Sequence, residues 1–158
     1  MLAPRVEARL LQEARVQRHE RVLEVGAGSG FMAALLAHRA QSVLSLERVP
    51  ALARLAADNL QRAGIGNAQV READGAQGAA ADGPFDVIVL SGSVPAVPQL
   101  LLDQLKVGGR LVAIVGQEPV MRAVRITRLS ASSLQTDALF DTVVQRLSGF
   151  DEPARFSF

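Results

Sequence analysis

Short, continuously apolar segments alternate with helical segments over the first 116 residues. The sequence predicts strands at 21–25, 42–46, 85–90 and 110–115, and a weaker one at 68–72. It predicts helices at 4–17, 31–39, 50–63 and 96–105, and a loop at 75–84, which is rich in Ala and Gly. Strands without polar positions belong to parallel sheets that are covered on both faces. The alternation therefore predicts an α/β fold with a doubly wound, Rossmann-like sheet.

The pattern changes after Gly116. Residues 120–129 and 134–147 alternate apolar and polar side chains around a Ser-rich turn, which predicts an antiparallel C-terminal strand pair. The expected sheet is thus seven-stranded and mostly parallel. We predict a single domain over residues 1–158, with an N-terminal helix in 1–18, a cofactor-binding βα core in 21–116 and the antiparallel end of the sheet in 117–158.

Composition excludes several classes of protein. The formal net charge of +1 gives no field that would attract nucleic acid or a membrane surface. The chain contains no Cys and only two His, so disulfides, thiolate sites and a metal centre are not expected. No stretch reaches the ~20 apolar residues of a membrane span, and the N-terminus lacks the apolar core of a signal peptide. We expect a cytoplasmic protein, with a monomer favoured.

The first predicted strand ends in a glycine loop, VLEVGAGSG, over residues 22–30. Glycine at positions 26, 28 and 30 permits a tight turn and the close approach of a ligand. The helix that follows would add unpaired N–H groups. Ligands of open parallel sheets bind at the carboxyl ends of strands, where the strand order reverses. The loop therefore predicts a nucleotide-type cofactor.

Two cofactor classes compete for this loop. The dinucleotide fingerprint G-x-G-x-x-G/A would place Phe31 where a small residue is needed. The spacing acid-x-G-x-G-x-G of S-adenosyl-L-methionine (SAM) methyltransferases fits at every position, beginning with Glu24. Glu47 ends the second strand, where it could accept ribose hydroxyls, and Asp74 follows the third, where it could accept the adenine amino group. SAM is favoured, and a nicotinamide dinucleotide stays open as an alternative.

The sequence also limits the methyl acceptor. Transfer from a sulfonium needs mainly alignment of acceptor, methyl and sulfur, and a carboxylate needs no general base. The missing Cys excludes methylation of cytosine C5 through a Cys adduct. The Asn/Asp-Pro-Pro-Tyr/Phe pattern of amino-group methylation is replaced after strand four by Leu90-Ser91-Gly92-Ser93. Aromatic residues make up only 4% of the chain, so stacking on nucleic-acid bases is not expected.

Taken together, these motifs resemble the protein-L-isoaspartate O-methyltransferase family of class I SAM methyltransferases. The similar stretches are RVLEVGAGSGFMAALLA, SLERVPALARLAADNL, READGAQG and GPFDVIVLSGSVPAVPQLLLDQLKVGGRLVAIVG. They cover about residues 21–116, and the closing ARFSF resembles the family's final strand. The order of the set, with LKVGGRLV and the Asp-Gly pair after strand three, is more specific than the glycine loop alone.

The resemblance implies an activity and a set of cofactor-binding residues. The enzyme would methylate the free carboxylate of L-isoaspartyl residues in damaged proteins, as a step of protein repair. Its partner would be a protein or peptide substrate. No catalytic side chain is assigned. The residues that match the family's SAM site are Glu24, Gly26, Ala27, Gly28 and Gly30 of the first motif, Glu47 and Arg48 on the ribose side, Asp74 and Gly75 on the adenine side, and Ser91 near the methyl group.

Two features depart from the family pattern. Leu2 stands where the family's I-S-Q-P loop has Ser, although Pro4 matches. The family also has a helical segment ahead of this core, and we expect the chain to lack it. Two further hypotheses therefore stay open. The acceptor could be a small molecule, or the chain could be a truncated SAM-binding core without activity.

Overall fold

The structure is a computed structural model that describes residues 2–150. Met1 and residues 151–158 lie outside the described part, and so does the predicted final strand ARFSF. In chain order the elements are α1 (Pro4–Ala14), β1 (Arg21–Val25), α2 (Phe31–Ala37), β2 (Ser42–Glu47), α3 (Pro50–Arg62), β3 (Ala68–Glu72), two 3₁₀ turns (Gly75–Gln77 and Ala80–Asp82), β4 (Phe85–Val94), α4 (Gln99–Leu102), β5 (Leu105–Gln117), β6 (Val120–Ser130) and β7 (Ser133–Thr142).

Within residues 2–150, seven strands form one sheet in the order β3-β2-β1-β4-β5-β6-β7. All pairs from β3 to β5 are parallel, whereas β6 is antiparallel to both β5 and β7. This confirms the predicted fold class, including the antiparallel C-terminal end. The strand order reverses between β1 and β4, because the chain runs outward to β3 and then returns to the other side of β1. Ligand sites of such sheets lie at this reversal.

The core lies on both faces of the sheet, as the uninterrupted apolar strands predicted. Val22 of β1 packs in one layer with residues of α1 and α2, including Leu10 and Leu36. Leu23 and Val25 point to the opposite layer, which contains residues of α4. Alternate strand residues thus cover both faces. Almost all residues of the central strands β1 and β4 are buried, so their carboxyl ends are held in fixed positions relative to one another.

Several element boundaries differ from the sequence-based ones. The first helix ends at Ala14 rather than at 17, because Arg15 adopts a left-handed conformation with φ 51°. The fourth helix spans only Gln99–Leu102, because Pro98 is extended and keeps the residues before it out of the helix. The fourth strand continues beyond residue 90 to Val94. The last strand ends at Thr142 instead of 147, so residues 143–148 are free to follow another path.

Residues 2–150 contain neither a helix that could cross a membrane nor a cluster of metal-binding side chains. The longest helix, α3, has 13 residues, and none of the helices has the length and apolar character needed to cross a membrane. The same part of the chain holds no group of three or more His, Asp or Glu side chains that could bind a metal ion.

Candidate cofactor site

A cavity of about 490 Å³ opens at the carboxyl ends of β1, β2 and β4. This is the point of strand reversal where a ligand is expected. Its walls come from the glycine loop, the β2–α3 junction, β4 and a segment after β7. The lining residues are Leu2, Val25, Gly26, Gly28, Ser29, Leu46, Glu47, Arg48, Val49, Leu52, Leu55, Gly75, Ser91, Gly92, Gln145, Arg146, Leu147 and Ser148.

The glycine loop is tied to the end of β2. The backbone N–H of Gly26 donates to the carbonyl of Leu46 at 2.8 Å. Gly26 has a φ of 93°, and a Cβ there would lie 2.6 Å from Leu147 Cδ2, so only glycine fits without displacing Leu147. Gly30 has a φ of 87°, and a Cβ there would lie 3.0 Å from the backbone oxygen of Ala56. The first glycine thus shapes the cavity wall, whereas the third lets α2 approach α3.

Glu47 lies at the cavity edge with its carboxylate fixed by two loops. Its Oε1 accepts a hydrogen bond from the N–H of Gly28 at 3.0 Å. Its Oε2 accepts one from the N–H of Val49 at 3.1 Å. The side chain is only 7% exposed, yet it lines the cavity. Each carboxylate oxygen has a second lone pair, so Glu47 can still accept hydroxyl hydrogen bonds from a ligand.

Glu24 is completely buried beneath the cavity. Its Oε1 accepts a hydrogen bond from Ser45 Oγ at 2.7 Å, and its Oε2 accepts one from Ser91 Oγ at 2.6 Å. Burial raises the pKa of Glu24 to about 7, although the two serine hydrogen bonds act in the opposite direction. Glu24 is not among the residues that line the cavity. Ser91 lies between Glu24 and the cavity, since it lines the cavity and donates to Glu24.

The other predicted site residues divide into two groups. Arg48 and Gly75 line the cavity, whereas Ala27, Gly30 and Asp74 do not. Asp74 is exposed, and its Oδ1 accepts a hydrogen bond from the N–H of Ala76 at 3.1 Å. A Cβ on Gly149 would lie 3.0 Å from this oxygen and 2.8 Å from Arg48 Nη1. The backbone of residue 149 thus approaches both Asp74 and Arg48 at the rim of the cavity.

The segment 145–148 forms a cavity wall that the sequence analysis missed. Ser93 of β4 donates its N–H to the carbonyl of Gln145 at 2.9 Å and accepts the N–H of Leu147 at 2.9 Å. Leu147 is buried against Gly26 and Gly92. The apolar–polar alternation of the sequence predicts a strand up to residue 147, whereas β7 ends at Thr142. The break at Val143-Val144 and the glycine at 149 were the available signals that the strand ends earlier.

Leu2, which departs from the family pattern, is buried at the cavity. It is 6% exposed and lines the large cavity from the side of α1. Leu52 and Leu55 of α3 line the same cavity and are more than one-third exposed. The cavity therefore combines an apolar rim with one fixed carboxylate and the backbone of a glycine loop.

A parallel sheet that reverses at β1 and β4, with a glycine loop after β1 and an acid at the end of β2, defines a Rossmann-like methyltransferase fold. Comparison with solved structures agrees. A protein-L-isoaspartate O-methyltransferase superposes with a TM-score of 0.84 at 26% identity, over 92% of this chain and 47% of that chain. A Plasmodium falciparum protein, described as a putative protein-L-isoaspartate O-methyltransferase and solved in complex with S-adenosyl-L-homocysteine, superposes with a TM-score of 0.79 at 24% identity, over 94% of this chain and 76% of that chain.

Comparison with known sequences identifies the family more specifically than the fold does. The family model for protein-L-isoaspartate(D-aspartate) O-methyltransferase matches residues 1–146. The chain belongs to this family. A protein-L-isoaspartate O-methyltransferase 1 of Rhodopseudomonas palustris is 44% identical over 139 residues, which is 87% of this chain and 57% of the relative. One from Syntrophobacter fumaroxidans is 48% identical over 72% of this chain and 53% of the relative. The chain thus spans little more than half the length of these curated relatives.

Proposed function

We propose that the cavity binds SAM and that the protein transfers its methyl group to the free carboxylate of L-isoaspartyl residues in damaged proteins. The observation that carries the proposal is the placement of Glu47. Its carboxylate is fixed at the cavity edge by Gly28 and Val49, beside the glycine loop of a chain that belongs to the isoaspartyl methyltransferase family. The cavity of about 490 Å³ also lies within the range of ~300–1,000 Å³ usual for small-molecule sites.

The residues present fit this cofactor. Glu47 would accept the ribose hydroxyls, and the backbone of Gly26 and Gly28 would approach the amino-acid part. Gly75 would lie on the adenine side, with Asp74 at the rim. When bound, the sulfonium supplies an electrophilic methyl group. The acceptor carboxylate is ionised near pH 7, so the protein has only to align it and exclude water.

The reaction needs no general base in the cavity. A lone pair of the acceptor's carboxylate oxygen would form the new bond to the methyl carbon as the carbon–sulfur bond breaks, with S-adenosylhomocysteine as the neutral leaving group. The resulting methyl ester can lose methanol when the following backbone nitrogen attacks its carbonyl. The succinimide so formed reopens with water, partly to normal aspartate. The protein's part in this repair ends with the ester.

A second candidate keeps the cofactor and changes the acceptor. Leu2 lines the cavity, and Leu52 and Leu55 extend the apolar rim. An apolar rim would suit an apolar small-molecule carboxylic acid. Such an acid is therefore the alternative to the isoaspartyl peptide as methyl acceptor. A nicotinamide dinucleotide is the alternative cofactor, and NADH tests it directly.

The testing experiment has two stages. Thermal unfolding is first followed with S-adenosylhomocysteine and, in parallel, with NADH. A ligand at ~100 times its dissociation constant adds about 2.7 kcal/mol of stability, or roughly 5–10 °C for a domain of this size. Methyl transfer is then measured to an isoaspartyl peptide, to the same peptide with normal aspartate, and to a small apolar carboxylic acid. Transfer to the first peptide alone supports the proposal, and transfer to the small acid alone supports the second candidate.

We further propose that residues 1–158 form one methyltransferase domain. The continuous sheet of residues 21–142 and the family match over 1–146 support this. A cytoplasmic location stays a prediction from the sequence, and cell fractionation would test it.

A further inference from the structure

The solvent side of α1 carries a row of positive charges. Arg5 and Arg9 lie one turn apart on the helix, Arg15 follows its last residue, and Arg18 lies in the connection to β1. All four residues are exposed. We call them the arginine strip. Neither the glycine motif nor the family resemblance includes them, and they do not line the large cavity.

No acid of the described chain neutralises the strip by an ion pair. None of its four guanidinium groups takes part in a salt bridge within residues 2–150. The two acids of α1 do not compensate it, because Glu7 is only 5% exposed and Glu13 binds Arg125 of β6 at 2.9 Å. The strip therefore presents its charge to solvent.

Helix stability does not account for this row. Like charges four residues apart repel each other, and a cation in the first helical turn opposes the helix dipole, which favours acids there. Arg5 meets both conditions. Arg9 is held in place, since its guanidinium carbon lies 4.1 Å from the centre of the Phe140 ring on β7. A cation fixed in this way loses little conformational freedom when it binds a partner.

The strip begins beside the cavity. Leu2 lines the cavity and lies just before α1, and residues 15–20 connect the helix to the start of β1 at the opposite edge of the sheet. The helix rises about 1.5 Å per residue, so Arg5 and Arg15 are separated by about 15 Å along its axis. An extended peptide covers this distance with about four or five residues. A polypeptide whose methyl-accepting residue lies in the cavity therefore reaches the strip with a short neighbouring segment.

We propose that the arginine strip binds an acidic segment of the methyl-accepting polypeptide, adjacent to the residue that is methylated. The inference rests on the proposed function, which supplies a polypeptide as the partner. Guanidinium groups bind carboxylates through paired, charge-assisted hydrogen bonds, and uncompensated cations raise the association rate of an anionic partner. Nucleic acid is less favoured, because binding of single strands relies on stacking with aromatic rings. The strip itself has none, and Phe140 lies half-buried beneath Arg9.

Fluorescence anisotropy tests the strip without relying on methyl transfer. The probes are labelled isoaspartyl peptides that differ only in a short tail of Glu, Gln or Lys, placed before or after the isoaspartyl residue, and a labelled oligothymidylate of similar length. At low salt we expect the Glu-tailed peptide to bind several-fold more tightly than the Gln-tailed one, and the Lys-tailed one most weakly. Salt should abolish this order, because exposed charges are screened. Equal affinity of the three peptides at low salt, or tighter binding of the oligothymidylate, overturns the proposal.

The double variant Arg5→Gln/Arg9→Gln locates the effect, and Arg39→Gln/Arg62→Gln is its matched control. Arg39 and Arg62 are exposed residues at the ends of α2 and α3, and their replacement changes the charge equally. In methyl transfer, the strip variant should raise KM for the Glu-tailed peptide several-fold, with kcat and the KM for the Gln-tailed peptide unchanged. The control should change none of these. Arg9→Lys should keep the preference, because it retains the charge. Equal effects of the two double variants would overturn the assignment to α1.

The two proposals fail separately. Tail-dependent binding without methylation of any isoaspartyl peptide would overturn the proposed function and leave the strip as a site for acidic peptides. Methylation of all three peptides with equal KM at low salt would overturn the strip and leave the proposed function intact. The comparison of tails in the wild type decides the matter even if the strip variant folds poorly.

Discussion

The guanidinium of Arg110 on β5 binds both carboxylate oxygens of Glu20, at 2.6 and 2.7 Å. The same guanidinium donates to the carbonyls of Ala14 and Arg15, at 2.7 and 2.6 Å. One side chain therefore fixes the C-terminal end of α1 to the middle of the sheet. Because Leu2, just before the other end of α1, lines the cavity, this contact helps to set the cavity's shape.

Loss of the Arg110–Glu20 ion pair should lower the stability of the folded protein. Arg110 and Glu20 are only 13% and 9% exposed. Arg110→Ala would leave the buried Glu20 carboxylate with only the N–H of Gln17 as a donor, and it would remove the donors to the carbonyls of Ala14 and Arg15. We expect the free energy of unfolding to fall by about 3–5 kcal/mol. Arg122→Ala is the control, because its pair with Asp141 is exposed and should contribute at most about 1 kcal/mol. Urea denaturation of both variants checks this, and equal losses would contradict it.

The raised pKa of Glu24 predicts a pH-dependent stability. Its pKa is about 7 in the folded protein and 4.5 in the unfolded chain, so the folded state binds more protons between these values. The free energy of unfolding should therefore fall by about 3 kcal/mol as pH rises from 4.5 to 7, and then level off. The pKa of Glu20 is lowered by Arg110 despite its burial, so its contribution is lost only below pH 4.5.

Glu24→Gln should flatten this decline, because glutamine can accept from a serine and does not titrate. A smaller slope should remain from Glu7, whose pKa is also raised by burial. Urea denaturation across pH 4.5 to 8 measures both slopes. A variant whose slope equals that of the wild type would show that Glu24 titrates at its ordinary pKa.

Glu47→Ala should weaken binding of S-adenosylhomocysteine by about 1.5–3 kcal/mol, the scale of hydrogen bonds to a charged group. The control is Glu72→Ala, since Glu72 pairs with Glu47 in the β2–β3 register but is exposed. Titration calorimetry compares the two. Unchanged affinity in Glu47→Ala would remove this residue from the site.

Gly28→Val should abolish cofactor binding while the sheet still folds. The loop approaches the proposed ligand, and Gly28 has a φ of 53° that valine adopts only with strain. Gly64→Val separates backbone strain from a direct block of ligand binding. Gly64 also has a positive φ of 71°, but nothing lies within 4 Å of an added Cβ there. Both variants carry backbone strain, but only Gly28→Val should lose the thermal shift with S-adenosylhomocysteine. A Gly28→Val protein that still binds would show that the loop does not contact the ligand.

Local patterns in the sequence were enough to predict the sheet and part of the site. Val25 and Glu47 end adjacent buried strands, and parallel pairing alone brings those ends together. Gly26, Gly28, Arg48, Gly75 and Ser91 follow from the same logic and lie around the cavity. The complete burial of Glu24 could not be predicted from the sequence, because it depends on hydrogen bonds from Ser45 and Ser91 on the two neighbouring strands. The motif gives the position of the acid along the strand. It does not show on which face of the sheet the side chain is buried.

Contacts between distant parts of the chain escaped prediction for a different reason. Arg110 and Glu20 are 90 residues apart, and neither lies in a pattern that indicates a partner. The wall formed by 145–148 depends on hydrogen bonds from Ser93, which no periodicity encodes. Helix α4 was overestimated because apolar spacing suggested ten residues, although Pro98 limits where it can begin.

The pairing of Ser93 with residues 145 and 147 has a consequence for the order in which the molecule is made. Residues 2–94 contain the glycine loop, Glu47 and Ser91, but Leu147 reaches Gly26 only after β5, β6 and β7 have been synthesised. A nascent chain on the ribosome therefore carries an open-sided pocket until residue 147 has emerged. Binding of the proposed ligand would then depend on residues 145–148 having reached their place beside Ser93.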